Sequence, residues 1–147
     1  MNTNIVGTIT ELKCITYFLE LGYTVSVPQN PCRYDFIIDT GDKLLKVQVK
    51  TSNSLKINKW MMTESSEKIS SNNLFYVLVN MNEGQMPSYY IIPSAYVANK
   101  IKNEYEQWLK TPGKNGQKRN PTPMRTFTFS SDNEMLQYKD AWHLLGL

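Results

Sequence analysis

The amino-acid sequence predicts an α/β fold in which a mixed β-sheet lies between helices. Two segments with helical periodicity, Asn4 to Leu21 and the one opened by Pro93-Ser94, flank most of the strand-like runs. One of these runs, Leu74 to Asn80 (LFYVLVN), is almost continuously apolar, which is typical of a strand buried on both faces. Helices and strands in this arrangement favour the α/β class over all-α or all-β folds.

Length and composition restrict the class of protein. The 147 residues fit one domain, 1–147, that is long enough to bury a sizeable core. Hydrophobic residues make up 41% and charged residues 20%, which favours a globular chain over a disordered one. The net charge of +3 is too small to indicate nucleic-acid binding by itself. Two cysteines and one histidine do not provide a disulfide framework or a structural zinc site.

The sequence also carries no sign of export or membrane insertion. No run approaches the roughly 18 consecutive apolar residues of a membrane span. The segment MNTNIVGTITE lacks the basic and then apolar pattern of a secretory signal. We therefore expect a cytoplasmic, reduced protein that has no contact with a membrane.

The first helix is predicted over Asn4 to Leu21, with Gly22 as its stop signal. Glu11 lies mid-helix beside the apolar stripe, where a solvated glutamate is the ordinary interpretation. The segment Tyr23 to Val27 is then predicted to be a strand that ends at Pro28. The buried face of the helix is predicted from its apolar spacing, which runs through Ile5, Ile9, Leu12, Thr16 or Tyr17, and Leu19.

A β-hairpin is predicted at the centre of the sequence. Its strands are Tyr34 to Thr40 and Lys43 to Thr51, and a tight turn at Gly41-Asp42 joins them. The first strand is mostly apolar or β-prone, and the second alternates strictly over its second half. The rest of the chain is organised around this hairpin.

Alternation along the hairpin brings polar groups to one face. Every second side chain of a strand shares a face, so Lys46, Gln48 and Lys50 point away from the valines between them. The carboxylate of Asp35 can then approach the amide of Gln48 and the ammonium of Lys50. An ordinary antiparallel hairpin shows the same alternation on its solvent face. The pattern alone leaves a functional site and a plain hairpin equally open.

The remainder of the chain is predicted to complete the sheet and add a second helix. Ser52 to Asn73 is polar and irregular, and Ser65-Ser66 and Ser70 to Asn73 mark loops within it. Tyr89 to Ile92 is predicted to be a strand, and Thr126 to Ser130 a last edge strand. Tyr138 to Leu147 reads as a short amphipathic turn or helix. The second long helix is predicted from helical spacing of Val97, Ile101, Tyr105 and Trp108.

A basic segment, Lys110 to Arg125, follows this helix and contains no acidic residue. Its glycines and prolines keep it out of regular structure. A solvated surface loop is one interpretation, and an arm that contacts DNA phosphates is the other. The candidate nucleic-acid-binding residues are its five cations, Lys110, Lys114, Lys118, Arg119 and Arg125.

The order of these motifs resembles the PD-(D/E)XK nuclease superfamily. The matching residues are Glu11 on the helix, Asp35 in YDFIID, and Gln48 and Lys50 in VQVK. Glutamine where glutamate is usual resembles a branch that includes intron-encoded homing endonucleases. Tyr34 stands where the family has proline, which is a turn feature rather than a ligand. The phrases IIPSAYVANKI and YKDAWHLLGL are also similar to bacterial and phage relatives of this family.

The resemblance implies a restriction-endonuclease-like fold and a Mg²⁺-dependent deoxyribonuclease, with Mn²⁺ as a substitute. Glu11, Asp35, Gln48 and Lys50 would be catalytic, and the cation would bind Asp35, Gln48 and the backbone carbonyl of Val49. Double-stranded DNA would be the substrate. Since one active site fits one strand, a homodimer or higher homo-oligomer is expected.

A non-enzymatic function is the alternative. Gln48 leaves the site one carboxylate short, which weakens its attraction for Mg²⁺ and is also what a dead site would show. The same fold would then bind nucleic acid or a protein partner, for example as a phage anti-defence or immunity factor. Retention of Asp35, Lys50 and Glu11 favours the active form, because a binding module does not need them.

Overall fold

The computed structural model describes residues 2–147 and shows a mixed sheet flanked by helices, which confirms the predicted α/β class. The strands of the main sheet follow the order β1-β2-β3-β5-β6, and β4 and β7 form a separate antiparallel ribbon. The helices are α1 (Thr3–Glu20), α2 (Ser94–Lys110) and α3 (Asp132–Tyr138). The strands are β1 (Thr24–Ser26), β2 (Phe36–Asp39), β3 (Leu44–Ser52), β4 (Lys59–Thr63), β5 (Leu74–Asn80), β6 (Ser88–Pro93) and β7 (Met124–Thr128).

Helix α1 begins and ends close to where the sequence predicts. The side chain of Asn2 accepts a hydrogen bond from the backbone N–H of Asn4 at 2.8 Å, which caps the first turn. Gly22 follows the helix with a φ of 88°, a left-handed conformation that glycine adopts without strain.

The predicted apolar stripe of α1 is only partly buried. Cys14 and Phe18 are buried and Tyr17 packs against the same core, whereas Ile5, Leu12 and Leu19 of the stripe are 52%, 56% and 52% exposed. The helix is apolar on two faces, and periodicity cannot tell which of them meets the sheet. Packing decides it, because the ring of Phe18 contacts aromatic side chains from β2 and from the C-terminal segment.

The β2–β3 hairpin and the buried strand β5 form the centre of the sheet. β2 pairs antiparallel with β3 from Asp39↔Leu44 to Phe36↔Val47, and β3 pairs parallel with β5. Every residue of β5 is buried, as its apolar run predicts. Val47 and Val49 lie in the core between the sheet and α1, so the residues that alternate with them face the α2 side.

The irregular segment Ser52–Asn73 contains β4, which its sequence pattern did not predict. The predicted loop at Ser65-Ser66 is instead part of a 3₁₀ helix at Glu64–Lys68, whereas Ser70–Asn73 lies outside helices and strands as predicted. Trp60 of β4 is fully buried in the core on the α2 side, and its indole N–H donates to the carbonyl of Val79 at 3.0 Å. The strand has only two inward side chains, too few for a clear alternation signal. The predicted edge strand is β7, which pairs with β4 instead of the main sheet.

The C-terminal segment closes the core beside α1. It contains α3, which the sequence reading did not identify, and a 3₁₀ helix at Trp142–Leu145 inside the predicted amphipathic stretch. Leu145 is buried there, and Trp142 stacks on Tyr17 with ring centroids 4.5 Å apart. None of the helices within residues 2–147 combines the length and apolar character needed to cross a membrane.

Arg125 is not an exposed phosphate-binding residue, which corrects one member of the predicted basic set. It lies in β7 with only 6% of its surface exposed and pairs with the carboxylate of Glu67. Its guanidinium lies 3.3 Å from the ring centroid of Tyr105 and donates to the carbonyls of Thr122 and Met124. The positive charge of Arg125 is therefore paired with groups of the protein itself.

Candidate active site

Asp35 lies directly before β2, where the ladder between β2 and β3 ends. Its backbone N–H donates to the carbonyl of Val47 at 2.8 Å. Its Oδ2 accepts hydrogen bonds from the backbone N–H of Val49 at 2.6 Å and from Nε2 of Gln48 at 3.2 Å. Asp35 and Gln48 are therefore in contact, as the alternation predicts. Because Nε2 faces Asp35, Oε1 is the amide atom of Gln48 that remains for a ligand.

The backbone carbonyl of Val49 lies at the same opening. Pairing between β2 and β3 extends only to Phe36↔Val47, and alternate residues of a strand direct their N–H and C=O groups to the same edge. The N–H of Val49 faces the side of β2, where it meets the Asp35 carboxylate. Its carbonyl oxygen therefore also faces that side, beyond the end of the ladder.

Charge links Lys50 and Glu11 to Asp35. Burial raises the pKa of Asp35 above its ordinary value of 3.8, which outweighs the lowering by the N–H of Val49 and by the positive charge of Lys50. Burial also raises the pKa of Glu11 above 4.5, and the negative charge of Asp35 raises it further. Lys50 shares a face with Gln48, while Glu11 extends from α1 on the other side of the sheet. Both charges act on the end of the sheet where Asp35 lies.

Cys14 is close to this group but is not a reactive residue. Its side chain is 2% exposed, and burial, together with the charges of Asp35 and Glu11, raises the pKa of its thiol to about 12. A thiol with this pKa is not ionised near neutral pH. Cys14 is a small core residue, as the sequence suggests.

Comparison with known proteins places this chain in a family. The sequence profile of PD-(D/E)XK endonucleases matches residues 1–130. The chain belongs to the PD-(D/E)XK endonuclease family. Among solved structures, the bacterial homing endonuclease I-Ssp6803I is similar with a TM-score of 0.60 and 22% identity, over 99% of this chain and 92% of that one. At this identity the likeness shows the fold alone. Comparison with curated proteins gives no match.

The donor atoms of the candidate site suit a hard divalent cation. Within residues 2–147, no three His, Cys, Asp or Glu side chains come together in a way that could hold a metal ion. The candidate donors are the carboxylate of Asp35, Oε1 of Gln48, whose Nε2 faces Asp35, and the backbone carbonyl of Val49. Mg²⁺ takes oxygen ligands, typically one or two carboxylates, and keeps several waters and substrate phosphate oxygens. These oxygen donors therefore fit Mg²⁺, and only one of them, the carboxylate, is charged.

The structure also shows three cations near the site, of which sequence spacing singled out only Lys46. Lys46 precedes Gln48 on the same face of β3, and the alternation already placed it there. Arg33 and Lys68 border the same groove as Lys46. They come from different segments, so only the folded structure brings them together.

The segment predicted as a basic loop is partly ordered by its own contacts. The guanidinium of Arg119 lies 5.0 Å from the ring centroid of Trp108, and its Nε donates to the carbonyl of Thr111 at 3.1 Å. The other three cations of this segment outside β7 are exposed, namely Lys110, Lys114 and Lys118. Four of the five predicted residues therefore remain candidates for phosphate contacts.

The raised pKa of Asp35 predicts how an Asp35→Asn variant changes stability. A carboxyl group whose pKa is higher in the folded than in the unfolded state is ionised at a cost to folding. Without divalent cations, the variant should have a higher melting temperature than the wild type at pH 7. The difference should vanish well below pH 3.8, where the carboxyl is protonated in both states.

Thermal unfolding followed by circular dichroism at both pH values measures this effect. Asp42→Asn, at an exposed turn position, is the matched control and should change little at either pH. Equal destabilisation of Asp35→Asn at both pH values would contradict the assigned environment of this carboxyl.

Proposed function

We propose that this chain is a Mg²⁺-dependent endonuclease that hydrolyses phosphodiester bonds of double-stranded DNA. The contact of Asp35 with Gln48 and Val49 at the open end of β2, in a chain of an endonuclease family, is the observation that carries the proposal. The site supplies one carboxylate, which is enough for a Mg²⁺ ion whose remaining ligands are waters and substrate phosphate oxygens.

Asp35, the Gln48 amide oxygen and the Val49 carbonyl would hold Mg²⁺, or Mn²⁺ in its place. When bound, such a cation supplies Lewis acidity at a phosphoryl oxygen and lowers the pKa of a water. The two N–H groups that hold the carboxylate of Asp35 fix its position before substrate arrives. Because its orientation is set by the backbone of β3, little reorganisation is needed during the reaction.

Lys50 and Glu11 act on the charges around this carboxylate. The ammonium of Lys50 stabilises negative charge that develops on the phosphate and orients the attacking water. Glu11 holds a water of the site from the α1 side. Burial raises the pKa of Glu11 and the negative charge of Asp35 raises it further; the repulsion between the two carboxylates is relieved when positive charge enters.

The proposed assembly is a homodimer or higher homo-oligomer. Each chain presents one Asp35 site, which suits cleavage of one strand, so a two-fold pair would place two sites on a duplex. Sedimentation with and without duplex DNA tests this arrangement.

An inactive nuclease fold that binds nucleic acid or a protein partner is the second candidate. The observation in its favour is Gln48, which leaves the site within residues 2–147 short of a third carboxylate. Retention of Lys50 beside Asp35 favours catalysis instead, because binding alone does not require that pair.

Cleavage of supercoiled plasmid in Mg²⁺ separates the two candidates. We expect Asp35→Ala and Lys50→Ala to lower the rate at least about a hundredfold, since loss of one electrostatic group at developing charge costs about 3 kcal/mol. Lys102→Ala, at an exposed position of α2, is the control and should retain full activity. Full activity in either site variant would exclude this site, and an inert wild-type protein would favour the inactive module.

The basic segment is proposed to contact phosphates without taking part in the chemistry. Replacing Lys114, Lys118 and Arg119 with Gln should reduce the slope of log affinity against log salt by about 0.9 for each lost contact. Binding should weaken alike on any duplex sequence, because phosphate contacts carry no sequence information. Cleavage at saturating DNA and Mg²⁺ should persist.

Fluorescence anisotropy over a salt series provides the measurement. The matched control replaces three exposed lysines outside the segment, Lys13, Lys102 and Lys139. If the two triple variants show the same slope as the wild type, the segment is an ordinary solvated loop.

A further inference from the structure

A groove of about 380 Å³ opens beside the candidate active site, between the residues before β2, the start of β3 and the chain before β5. We call it the Lys46 groove. We propose that it binds a backbone phosphate of the substrate strand next to the phosphate that is cleaved. This inference rests on the proposed function and extends it to the path of the DNA strand. The polar and aromatic residues that line it include Arg33, Tyr34, Lys46, Lys68, Ser70 and Ser71.

The charge of the Lys46 groove is of one sign. Arg33, Lys46 and Lys68 come from three separate segments, and no aspartate or glutamate of the described chain, 2–147, lines the groove. Throughout residues 2–147, none of the three has a carboxylate within 4.0 Å. Like charges gathered without counter-ions repel one another, and an anion bound between them relieves that repulsion.

The residues that line the groove are close neighbours of the proposed catalytic residues along the chain. Tyr34 is adjacent in sequence to Asp35, and Lys46 is two residues from Gln48 on the same face of β3. Two residues of a strand span about 7 Å. A DNA strand that presents one phosphate to Asp35 therefore passes the ammonium of Lys46 with a neighbouring phosphate.

Aromatic and hydroxyl groups complete the lining. The ammonium of Lys46 lies 5.3 Å from the ring centroid of Tyr34, an attractive cation–π contact that restrains the long side chain. Ser70 and Ser71 are exposed at the other wall. Lysine, arginine and serine side chains are typical partners of DNA phosphates.

Cys32 supplies a probe of this groove that does not require a substitution. It lines the Lys46 groove and is exposed, whereas the other thiol, Cys14, is buried with a raised pKa. Iodoacetamide should therefore alkylate Cys32 alone. Occlusion of the groove by DNA should slow this reaction.

The experiment measures the alkylation rate of Cys32 with an uncleaved duplex in Ca²⁺, beside binding followed by anisotropy. With duplex at ten times its Kd, we expect alkylation to slow about tenfold. Replacing Arg33, Lys46 and Lys68 with Gln should weaken binding, flatten the salt slope by about 0.9 per contact and reduce the protection at a fixed DNA concentration. The Lys13, Lys102 and Lys139 triple variant is the control.

The outcomes separate this inference from the proposed function. If DNA saturates the wild type without protecting Cys32, the Lys46 groove does not bind DNA, and the nuclease proposal remains intact. An unchanged salt slope in the groove variant would lead to the same conclusion. A wild-type protein that neither binds nor cleaves DNA would overturn the proposed function, and the groove with it.

Discussion

The Asp35 carboxylate, held by the backbone N–H of Val49 and the amide of Gln48, is the interaction on which the site depends. It forms because β2 stops pairing with β3 at Phe36↔Val47, which leaves the next N–H of that edge without a ladder partner. The carboxylate satisfies that N–H in place of a strand. The early end of β2 thus opens the site and leaves an N–H group that holds the Asp35 carboxylate there.

This arrangement has an electrostatic cost that cations relieve. Burial disfavours both ionised carboxylates and raises the pKa values of Asp35 and Glu11, and the charge of Asp35 raises the pKa of Glu11 further. Lys50 offsets only part of the cost. A bound divalent cation would offset more of this cost. The same unfavourable ionisation that destabilises the empty site would therefore favour binding of the cation. The same reasoning explains why Arg33, Lys46 and Lys68, which have no carboxylate within 4.0 Å among residues 2–147, suit a polyanion.

The sequence predicted the features that depend on the two-residue alternation of strands and on local helix-end signals. Alternation in KVQVK placed Gln48 beside Asp35, and Gly22 marked the end of α1. It could not predict what depends on tertiary packing. The helix α1 has two apolar faces, and contacts of Phe18 select the one that sequence spacing did not favour. Arg125 looked like one more loop cation until its pairing with Glu67 across the fold was known.

Mg²⁺ binding measured by calorimetry without DNA tests whether Gln48 is a ligand of the proposed cation or the trace of a lost site. Gln48→Glu adds a carboxylate to the oxygen set and should tighten binding at least about tenfold, because ligand charge sets affinity for hard cations. Asp35→Asn should abolish it, and Gln137→Glu, on the exposed side of α3, should leave it unchanged. Equal Mg²⁺ affinity in the wild type, Gln48→Glu and Asp35→Asn would contradict the account.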